Sequence, residues 1–205
     1  MWPLDGAQHY TGDDLRYVHG YKDTVGKFDI NSWVWHRKQK IYKQIKNLTI
    51  VTPSVWLAEC ARKSMLFKDR RIEVIKTGQD TAIYRPIDKK TAREILGLPQ
   101  EKKIIMTASM QLDDRRKGVE LLASAIRKLD RNDCLILTLG GGKNESVFNI
   151  PTHQLGRLED DISLVLAYSA ADVFVAPSRE ENLANTVIES MACGTPVIAY
   201  RKGGA

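Results

Sequence analysis

The chain has 205 residues, of which 43% are hydrophobic and 27% are charged, and its net charge is +6. These values are ordinary for a globular protein with one or two cores, and the excess of positive charge favours anionic partners. No apolar run has the length of a bilayer span, no signal peptide is recognisable and the three cysteines stand far apart, so we expect a cytoplasmic protein without a disulfide framework.

Residues 1–83 are predicted to form a first domain with few regular elements. The stretch 1–31 shows no sustained hydrophobic period, whereas 32–46 are predicted to form a helix capped by Ser32. The elements predicted next, in chain order, are a buried strand over 48–54, a helix over 55–67 and a strand over 72–80. A polar stretch near residue 84 marks the predicted domain boundary.

The predicted helix 32–46 is basic and amphipathic. Its cations alternate with apolar residues and are Arg37, Lys38, Lys40, Lys43 and Lys46. A helix of this kind can lie on an anionic membrane surface, and a solvated helix face is the alternative explanation. Because the segment has no aromatic stacking platform and the chain has no nucleic-acid-binding motif, no nucleic acid partner is expected.

From residue 88 onward, within the predicted second domain 84–205, strands and helices alternate. Strands are predicted over 104–110, 134–139, 173–176 and 196–200, and helices over 89–96, 118–129, 160–170 and 182–192. This order predicts an α/β domain with a Rossmann-like parallel sheet and helices on both faces. Since ligands of such sheets bind beyond the carboxyl ends of the strands, the loops 111–117, 140–143 and 178–182 are expected on one rim.

The predicted helix 182–192 has an apolar and a polar side. At 100° per residue its apolar members form a core face of Leu183, Val187, Ile188, Met191 and Ala192. Asn182, Thr186 and Glu189 fall on the opposite side, and Glu181 precedes the helix in the loop. Spacing alone does not distinguish carboxylates that bind a ligand from an ordinary solvated helix face.

Several motifs, in order, resemble the retaining glycosyltransferase family 4. The segment VFVAPSREENLANTVIESMACGTPVIAY, 173–200, combines a strand, Pro-Ser, two glutamates separated by seven residues, and a small-Gly-x-Pro-Val turn. RRKG at 115–118 and NLTIVTPSVWLAECARKS at 47–64 are also similar to this family. The first residues of the chain, MWPLDGAQHYTGDDLRY at 1–17, are similar to bacterial members of the family that build exopolysaccharides, such as colanic-acid-type transferases. The resemblance implies the donor-binding C-terminal lobe of a GT-B fold over 84–205 and part of the acceptor-side lobe over 1–83.

The resemblance also implies a role for each matching residue in binding a nucleotide sugar. Glu189 would accept hydrogen bonds from the ribose hydroxyls, and Glu181 would hold a hydroxyl of the donor sugar. Lys117 and Arg116 would neutralise the diphosphate that leaves as the glycosidic bond breaks. The remaining contacts would be the backbone amides of Asn182, Leu183 and Ala184 at the helix start, Thr186 and Val187 along the nucleotide, Arg157 and Leu158 near the base, and Gly140, in a glycine run that either cradles a phosphate or forms a tight turn.

The resemblance implies transfer of a hexose from a nucleotide sugar to a bacterial glycan or lipid-linked acceptor. No Asp-x-Asp motif occurs, so no metal and no cofactor are expected. Gln111 stands where the family has a basic residue. Relative to the two lobes of the family, the start of the first lobe and the end of the second are missing, so the resemblance predicts an internal fragment truncated at both ends. Three alternatives stay open: a non-catalytic nucleotide-sugar-binding module, a GT-B enzyme of another type such as a sugar-nucleotide epimerase, and a membrane-surface protein built around 32–46.

Overall fold

The computed structural model describes residues 16–21, 28–111, 114–129, 131–141 and 147–204. Contacts divide the chain into two compact units. The described residues up to Thr77, together with Glu180–Leu183 and Gly204, form the first unit. Those of Gly78–Arg179 and Ala184–Gly203 form the second. The predicted domains 1–83 and 84–205 draw the boundary at another point and stay a prediction.

The first unit contains helices and a pair of parallel strands. In chain order its elements are α1 (Arg16–His19), α2 (Ile30–Gln44), β1 (Thr49–Thr52), α3 (Val55–Lys63) and β2 (Arg71–Val74). Its main core cluster consists of buried Tyr21, Trp35, Ala61, Leu66 and Phe67. The unit therefore depends on aromatic side chains for much of its buried apolar surface.

Two sequence predictions in the first unit were wrong. Helix α2 is capped by Asp29, whose carboxylate accepts a hydrogen bond from the amide of Asn31 at 2.9 Å, whereas Ser32 is buried one turn inside. Asp29 has the extended backbone that an N-cap requires, so the helix begins before Ser32. Strand β1 is not buried, because its side chains alternate and Val51 is 55% exposed.

The second unit is a three-layer α/β domain around a five-stranded parallel sheet. Its elements are α4 (Lys89–Ile95), β3 (Lys103–Gln111), a 3₁₀ turn (Arg115–Lys117), α5 (Val119–Leu129), β4 (Cys134–Gly141), β5 (Thr152–Gln154), α6 (Asp161–Ala170), β6 (Val173–Ala176), α7 (Asn185–Ala192) and β7 (Val197–Ala199). The strand order is β5-β4-β3-β6-β7. The predicted Rossmann-like fold is confirmed in these elements.

Alternation along the strands supplies a core on each face of this sheet. Ile104 and Met106 of β3 point into the larger cluster, which also contains Tyr168 of α6 and Ala92 of α4. Ile136 of β4 points to the opposite face, where the buried residues of α5 pack. Helices therefore cover both faces, as expected for parallel strands that are apolar on both sides.

Helix α7 differs from its predicted form in its start and in one residue of its core face, whereas Val187 and Ala192 pack against the core as predicted. It begins at Asn185 because Ala184 is extended, so Asn182 and Leu183 precede the helix. Ser190 is its buried residue, whereas Met191, predicted in the core, is 64% exposed. The hydroxyl of Ser190 donates to the carbonyl of Thr195, and this small polar contact takes the innermost position.

Candidate functional site

The order in which strands are added to the sheet of the second unit reverses at β3. From this central strand the chain builds β4 and β5 on one side and then β6 and β7 on the other. Ligands of open α/β sheets bind where the strand order reverses, beyond the carboxyl ends. In this chain that place lies beyond β3 and β6, where the segments 114–118 and 177–179 follow the two strands.

These two segments are hydrogen-bonded to each other. The amide of Arg179 donates to the carbonyl of Arg116 at 2.8 Å. Gly118 has φ +65°, and a Cβ there would lie 2.1 Å from the carbonyl oxygen of Pro177. A side chain at position 118 would therefore separate the segments, which explains the glycine of RRKG. The switch point carries a fixed, closely packed rim.

The rim presents a cationic turn with an internal counter-charge. Asp114 caps the 3₁₀ turn by accepting from the amide of Arg116, and its other oxygen lies 3.0 Å from the Arg116 guanidinium. Lys117, half-buried, donates its amide to the carbonyl of Asp114. Part of the Arg116 charge is thus compensated within the turn. Sequence reasoning missed Asp114, although Asp three residues before Lys117 is a capping signal.

Glu189 lies on α7 and contacts the core. Its Oε2 accepts a hydrogen bond from the hydroxyl of Tyr168 at 2.7 Å, and the Tyr168 side chain is fully buried. Burial, reinforced by the Glu189 carboxylate, holds the pKa of Tyr168 far above its ordinary value. Burial and the same carboxylate raise the pKa of the Cys193 thiol to about 11. Glu189 is therefore not simply a solvated residue on an exposed helix face, because its carboxylate is hydrogen-bonded to a core side chain.

Glu181, Asn182 and Leu183 belong to the first unit. The hydroxyl of Ser54 donates to the side-chain oxygen of Asn182 at 2.9 Å, and the amide of Gly204 donates to the carbonyl of Glu181 at 2.9 Å. The predicted helix start at Asn182 is wrong, because α7 begins at Asn185 with Ala184 as its N-cap, so Asn182 and Leu183 lie before the helix. The donor-sugar contact predicted for Glu181 stays a prediction.

The remaining residues on α7 and near β5 lie mostly against the core. Val187 and Leu158 pack against the larger core cluster, and Thr186 is half-buried. Arg157 is exposed and lies 3.5 Å from the carboxylate of Glu159. Ala184 is the N-cap residue of α7 and makes no side-chain capping bond. Packing against the core already explains the aliphatic residues Val187 and Leu158. The ligand contacts predicted for this group of residues therefore rest only on where the residues lie in the fold.

Gly140 has a structural reason of its own. Its φ is +119°, and a Cβ there would lie 1.6 Å from the carbonyl oxygen of Ser109 on the neighbouring strand. Its amide donates to the carbonyl of Gly156 at 2.7 Å. The glycine permits close strand packing at the rim, whatever it binds. Of the predicted glycine run, residue 142 lies outside the described residues, as do residues 112 and 113 of the cationic loop.

The described part of the chain gives no sign of a metal-ion site or of a membrane-spanning segment. Within it, no group of three His, Cys, Asp or Glu side chains could hold a metal ion, and no helix has the length and apolarity to cross a membrane. The three cysteines are buried, and none of them forms a disulfide in the structure. A hollow of about 290 Å³ in the second unit contains none of the predicted donor residues; it is lined by Ala82, Ile83, Arg85, Ile87, Ile162 and Val165.

Known proteins with similar structures have the same fold. The chain superposes on sucrose-phosphate synthase from Thermosynechococcus elongatus with a TM-score of 0.68 and 26% identity, covering 93% of this chain and 49% of that one. It superposes on Anabaena HepE, solved with UDP and glucose, with a TM-score of 0.60 and 18% identity, covering 81% of this chain and 47% of that one. The predicted GT-B-type α/β fold is thereby confirmed.

Sequence relatives identify the family. The D-inositol 3-phosphate glycosyltransferase 2 of Catenulispora acidiphila is 33% identical over 151 residues, which are 65% of this chain and 35% of that protein. The chain thus matches about a third of this curated relative's length. Residues 101–205 match the family model described as "Glycosyl transferases group 1". More than half of the chain is covered by this match, and the chain belongs to the glycosyl transferases group 1 family.

Proposed function

We propose that the second unit binds the nucleoside diphosphate part of a nucleotide-sugar donor, in a retaining glycosyltransferase of family 4. The observation that carries the proposal is the cationic rim at the switch point of a chain from this family. There the Arg115–Lys117 turn follows β3 and is hydrogen-bonded to the segment after β6. Anionic ligands of such folds bind at this end of the sheet.

Charge development in the reaction explains why cations belong at this rim. As the glycosidic bond breaks, negative charge grows on the departing diphosphate, and fixed donors at that position lower the barrier. Lys117 and Arg116 are the candidates for this role, and the Arg116 guanidinium also lies 3.0 Å from the Asp114 carboxylate within the turn. The two cations act without a metal ion in this proposal.

Glu189 is the second element of the proposal. A carboxylate accepts hydrogen bonds only, so it suits the vicinal hydroxyls of a ribose. Among the described residues, its carboxylate has one recorded hydrogen bond, from Tyr168 to Oε2, and the remaining acceptor positions suit a ligand. Thr186 and Val187 lie on the preceding turn, along the nucleotide, with Arg157 and Leu158 nearer the base.

The donor sugar is a hexose and the acceptor a bacterial surface glycan or its lipid-linked precursor. This part of the proposal rests on the resemblance to family 4 and its exopolysaccharide members. One relative named above is called a D-inositol 3-phosphate glycosyltransferase and one similar structure is a sucrose-phosphate synthase, so these names do not point to a single acceptor. Glu181 would contact a hydroxyl of the hexose.

Calorimetric titration of the 205-residue chain with UDP, GDP and their glucose and mannose conjugates tests the donor site. We expect micromolar to millimolar binding of one nucleotide series. Lys117→Ala should weaken it by a few kcal/mol at most, and Glu189→Ala by about 1–3 kcal/mol. Lys128→Ala is the matched control, because Lys128 is exposed in the last turn of α5, about 15 Å along the helix from the rim.

Two results would count against the proposal. A folded chain that binds neither nucleotide lacks the site, and equal weakening by Lys117→Ala and Lys128→Ala would show non-specific attraction. Nucleotide binding without sugar transfer or donor hydrolysis would favour the alternative, a non-catalytic nucleotide-sugar-binding module. Formation of an isomerised nucleotide sugar would favour the epimerase alternative.

A membrane surface is the third partner that we propose, through the first unit. The exposed side of α2 and its flanks combines apolar side chains with cations: Phe28 is 78% exposed, Trp33 50% and Ile41 45%. Arg37, Lys40 and Lys43 lie among them, and 30–46 contain no acidic residue. The Arg37 guanidinium lies over the Trp33 ring at 5.5 Å, a pairing that suits a polar–apolar boundary.

This composition matches an anionic lipid surface better than plain solvent. Apolar side chains can enter the headgroup region while the cations attract acidic lipids, each by about 1 kcal/mol near the surface. The protein would then work in the cytoplasm, at the inner face of the membrane, where a lipid-linked acceptor is presented.

Sedimentation with vesicles tests this contact. We expect binding to vesicles of phosphatidylglycerol and phosphatidylcholine, little binding to pure phosphatidylcholine, and release at high salt. Lys40→Glu with Lys43→Glu should abolish binding. Lys90→Glu with Lys128→Glu makes the same charge change on the second unit and should leave most binding intact. Equal loss in both double variants would attribute the effect to net charge alone.

A further inference from the structure

The hydroxyl of Tyr168 is the strongest feature that the donor-site roles leave unexplained. Tyr168 lies in α6 on the larger core face, and its ring is fully buried. Its hydroxyl reaches the half-buried Glu189 on a different helix and donates to Oε2 at 2.7 Å. A core tyrosine thus ends at the carboxylate for which a ligand role is proposed.

The tyrosine is held in place from several directions. Its ring packs edge-on against Phe174, with centroids 5.7 Å apart at an interplanar angle of 73°. Its backbone carbonyl accepts a hydrogen bond from the hydroxyl of buried Thr195 at 2.7 Å. With ring and backbone both fixed, the hydroxyl has a defined position. A flexible glutamate side chain that accepts from it is restricted to one arrangement.

We propose that Tyr168 is a positioning residue that orients the Glu189 carboxylate to accept hydrogen bonds from the ribose hydroxyls of the donor nucleotide. This inference rests on the proposed function of Glu189. The Tyr168 hydroxyl uses one acceptor position of Oε2 and leaves Oε1 for the ligand. Two vicinal hydroxyls require a carboxylate plane at a set angle, and a fixed donor supplies that angle before the ligand arrives.

The donor also keeps its proton across the working pH range. Burial, and then the hydrogen bond to Glu189, keep the pKa of Tyr168 far above neutral pH. The Tyr168 hydroxyl therefore stays protonated at neutral pH and can donate its hydrogen bond to Glu189.

A second tyrosine gives a matched control. Tyr84 is also buried in the second unit, and its hydroxyl donates to Oδ1 of Asp161 at 2.7 Å. Tyr84→Phe therefore removes the same group from the same kind of contact, with a carboxylate that has no proposed ligand. A purely structural role predicts similar behaviour of Tyr84→Phe and Tyr168→Phe, whereas positioning predicts a difference only in nucleotide binding.

The experiment measures dissociation constants of UDP, GDP and their 2′-deoxy forms for the full chain and its variants. For the ribonucleotide that binds, we expect Tyr168→Phe to weaken affinity about three- to tenfold. We expect a smaller loss for the 2′-deoxy form and none in Tyr84→Phe. In a Glu189→Ala background, adding Tyr168→Phe should change nothing, because the group that it orients is gone.

The outcomes separate this inference from the proposed function. Ribonucleotide binding that Glu189→Ala weakens and Tyr168→Phe does not would overturn the positioning role and leave the donor site standing. Binding that Glu189→Ala does not weaken would overturn both. If circular dichroism shows that Tyr168→Phe is unfolded, Glu189→Asp replaces it, since the shorter side chain separates the carboxylate from the hydroxyl. An unchanged preference for ribose over 2′-deoxyribose in Glu189→Asp would equally overturn the inference.

Discussion

Strand β4 of the second unit and strand β1 of the first are both short runs of aliphatic and β-branched residues, yet they are buried differently. The first six residues of β4, Cys134–Leu139, are all buried. Along β1 burial alternates, with Thr52 buried and Val51 exposed. Because β4 lies between β3 and β5, with helices on both faces of the sheet, neither side of the strand meets water.

Among the residues that the structure describes, strand β1 pairs with β2 alone, and one of its faces is covered. The comparison teaches that an apolar run identifies a strand but does not tell how many of its faces are covered. The second unit should accordingly depend on its sheet and on the ion pairs around it, and the first on aromatic helix packing. All four tryptophans lie within the first 77 residues, so tryptophan fluorescence follows the first unit while circular dichroism follows both.

The largest expected effect is removal of Asp172 from the second unit. Its carboxylate lies 2.8 Å from the buried guanidinium of Arg93, and it also accepts from the amide of Ile104 and from Lys89. Asp172→Ala leaves the Arg93 charge buried without its counter-ion and should lower the free energy of unfolding by about 3–5 kcal/mol. Urea titration followed by circular dichroism measures the loss.

The exposed pair of Arg131 and Asp133 gives the control for this variant. Both side chains are about half exposed, so Asp133→Ala should cost far less stability than Asp172→Ala. Similar losses in Asp172→Ala and Asp133→Ala would show that burial of the Arg93 pair has no special importance. Loss of the fluorescence transition in Asp172→Ala would show that the two units do not unfold separately.

A matched pair of truncations tests the comparison of the two strands. Ile136→Ala opens a cavity on a fully buried strand and should cost about 2–5 kcal/mol. Val51→Ala removes methyl groups from a mostly exposed side chain and should change stability by less than about 0.5 kcal/mol. The first is read from circular dichroism and the second from fluorescence. A large effect of Val51→Ala would mean that β1 is covered on both faces in solution.

Acid should destabilise the second unit in a defined window. Hydrogen bonds from Arg131 lower the pKa of Asp133 to about 2 from an ordinary 3.8, but this pair is exposed and screened by water, so it adds little to stability. Burial raises the pKa of Asp172, but its bonds to Lys89, Ile104 and Arg93 outweigh burial and lower it overall. A lowered folded-state pKa means that the unfolded chain takes up protons first, so stability present above about pH 4 is lost as pH falls toward 2.

Thermal unfolding between pH 7 and pH 2.5 measures this acid effect. We expect the melting temperature measured by circular dichroism to decrease as the pH is lowered below 4. The decrease should be smaller in Asp172→Asn, because this variant has no carboxylate to protonate at position 172. A midpoint that stays constant to pH 2.5 would refute the linkage.

The smallest expected effect is at Met191, which the sequence pattern assigned to the core. Because Met191 is 64% exposed, Met191→Gln should change stability by less than about 0.5 kcal/mol. Val187 lies on the same helix and packs against the core, so Val187→Ala provides the contrast. It should lower the free energy of unfolding by about 1 kcal/mol or more. Equal losses of stability in the two variants would show that Met191 packs against the core, as the sequence pattern predicted.

The sequence by itself predicted most helices and strands of the second unit and the end of the sheet at which its loops form the rim. The βα alternation predicted the sheet, and strand β6 has the predicted bounds, because apolar strands separated by capped amphipathic helices are strong local signals. It also pointed to Lys117 and Glu189 as candidate ligand groups. These features depend on residues close together in the chain.

Only the tertiary structure decided which contacts those residues make. The Tyr168 hydroxyl meets Glu189 across twenty-one positions of sequence, and the Arg179 amide meets the Arg116 carbonyl across a longer separation. The exposure of Met191 and the start of α7 at Asn185 likewise depend on neighbours that are distant in the chain. Local propensity fixes where a helix can form, whereas its orientation and the partners of its polar groups follow from packing and hydrogen bonding between elements.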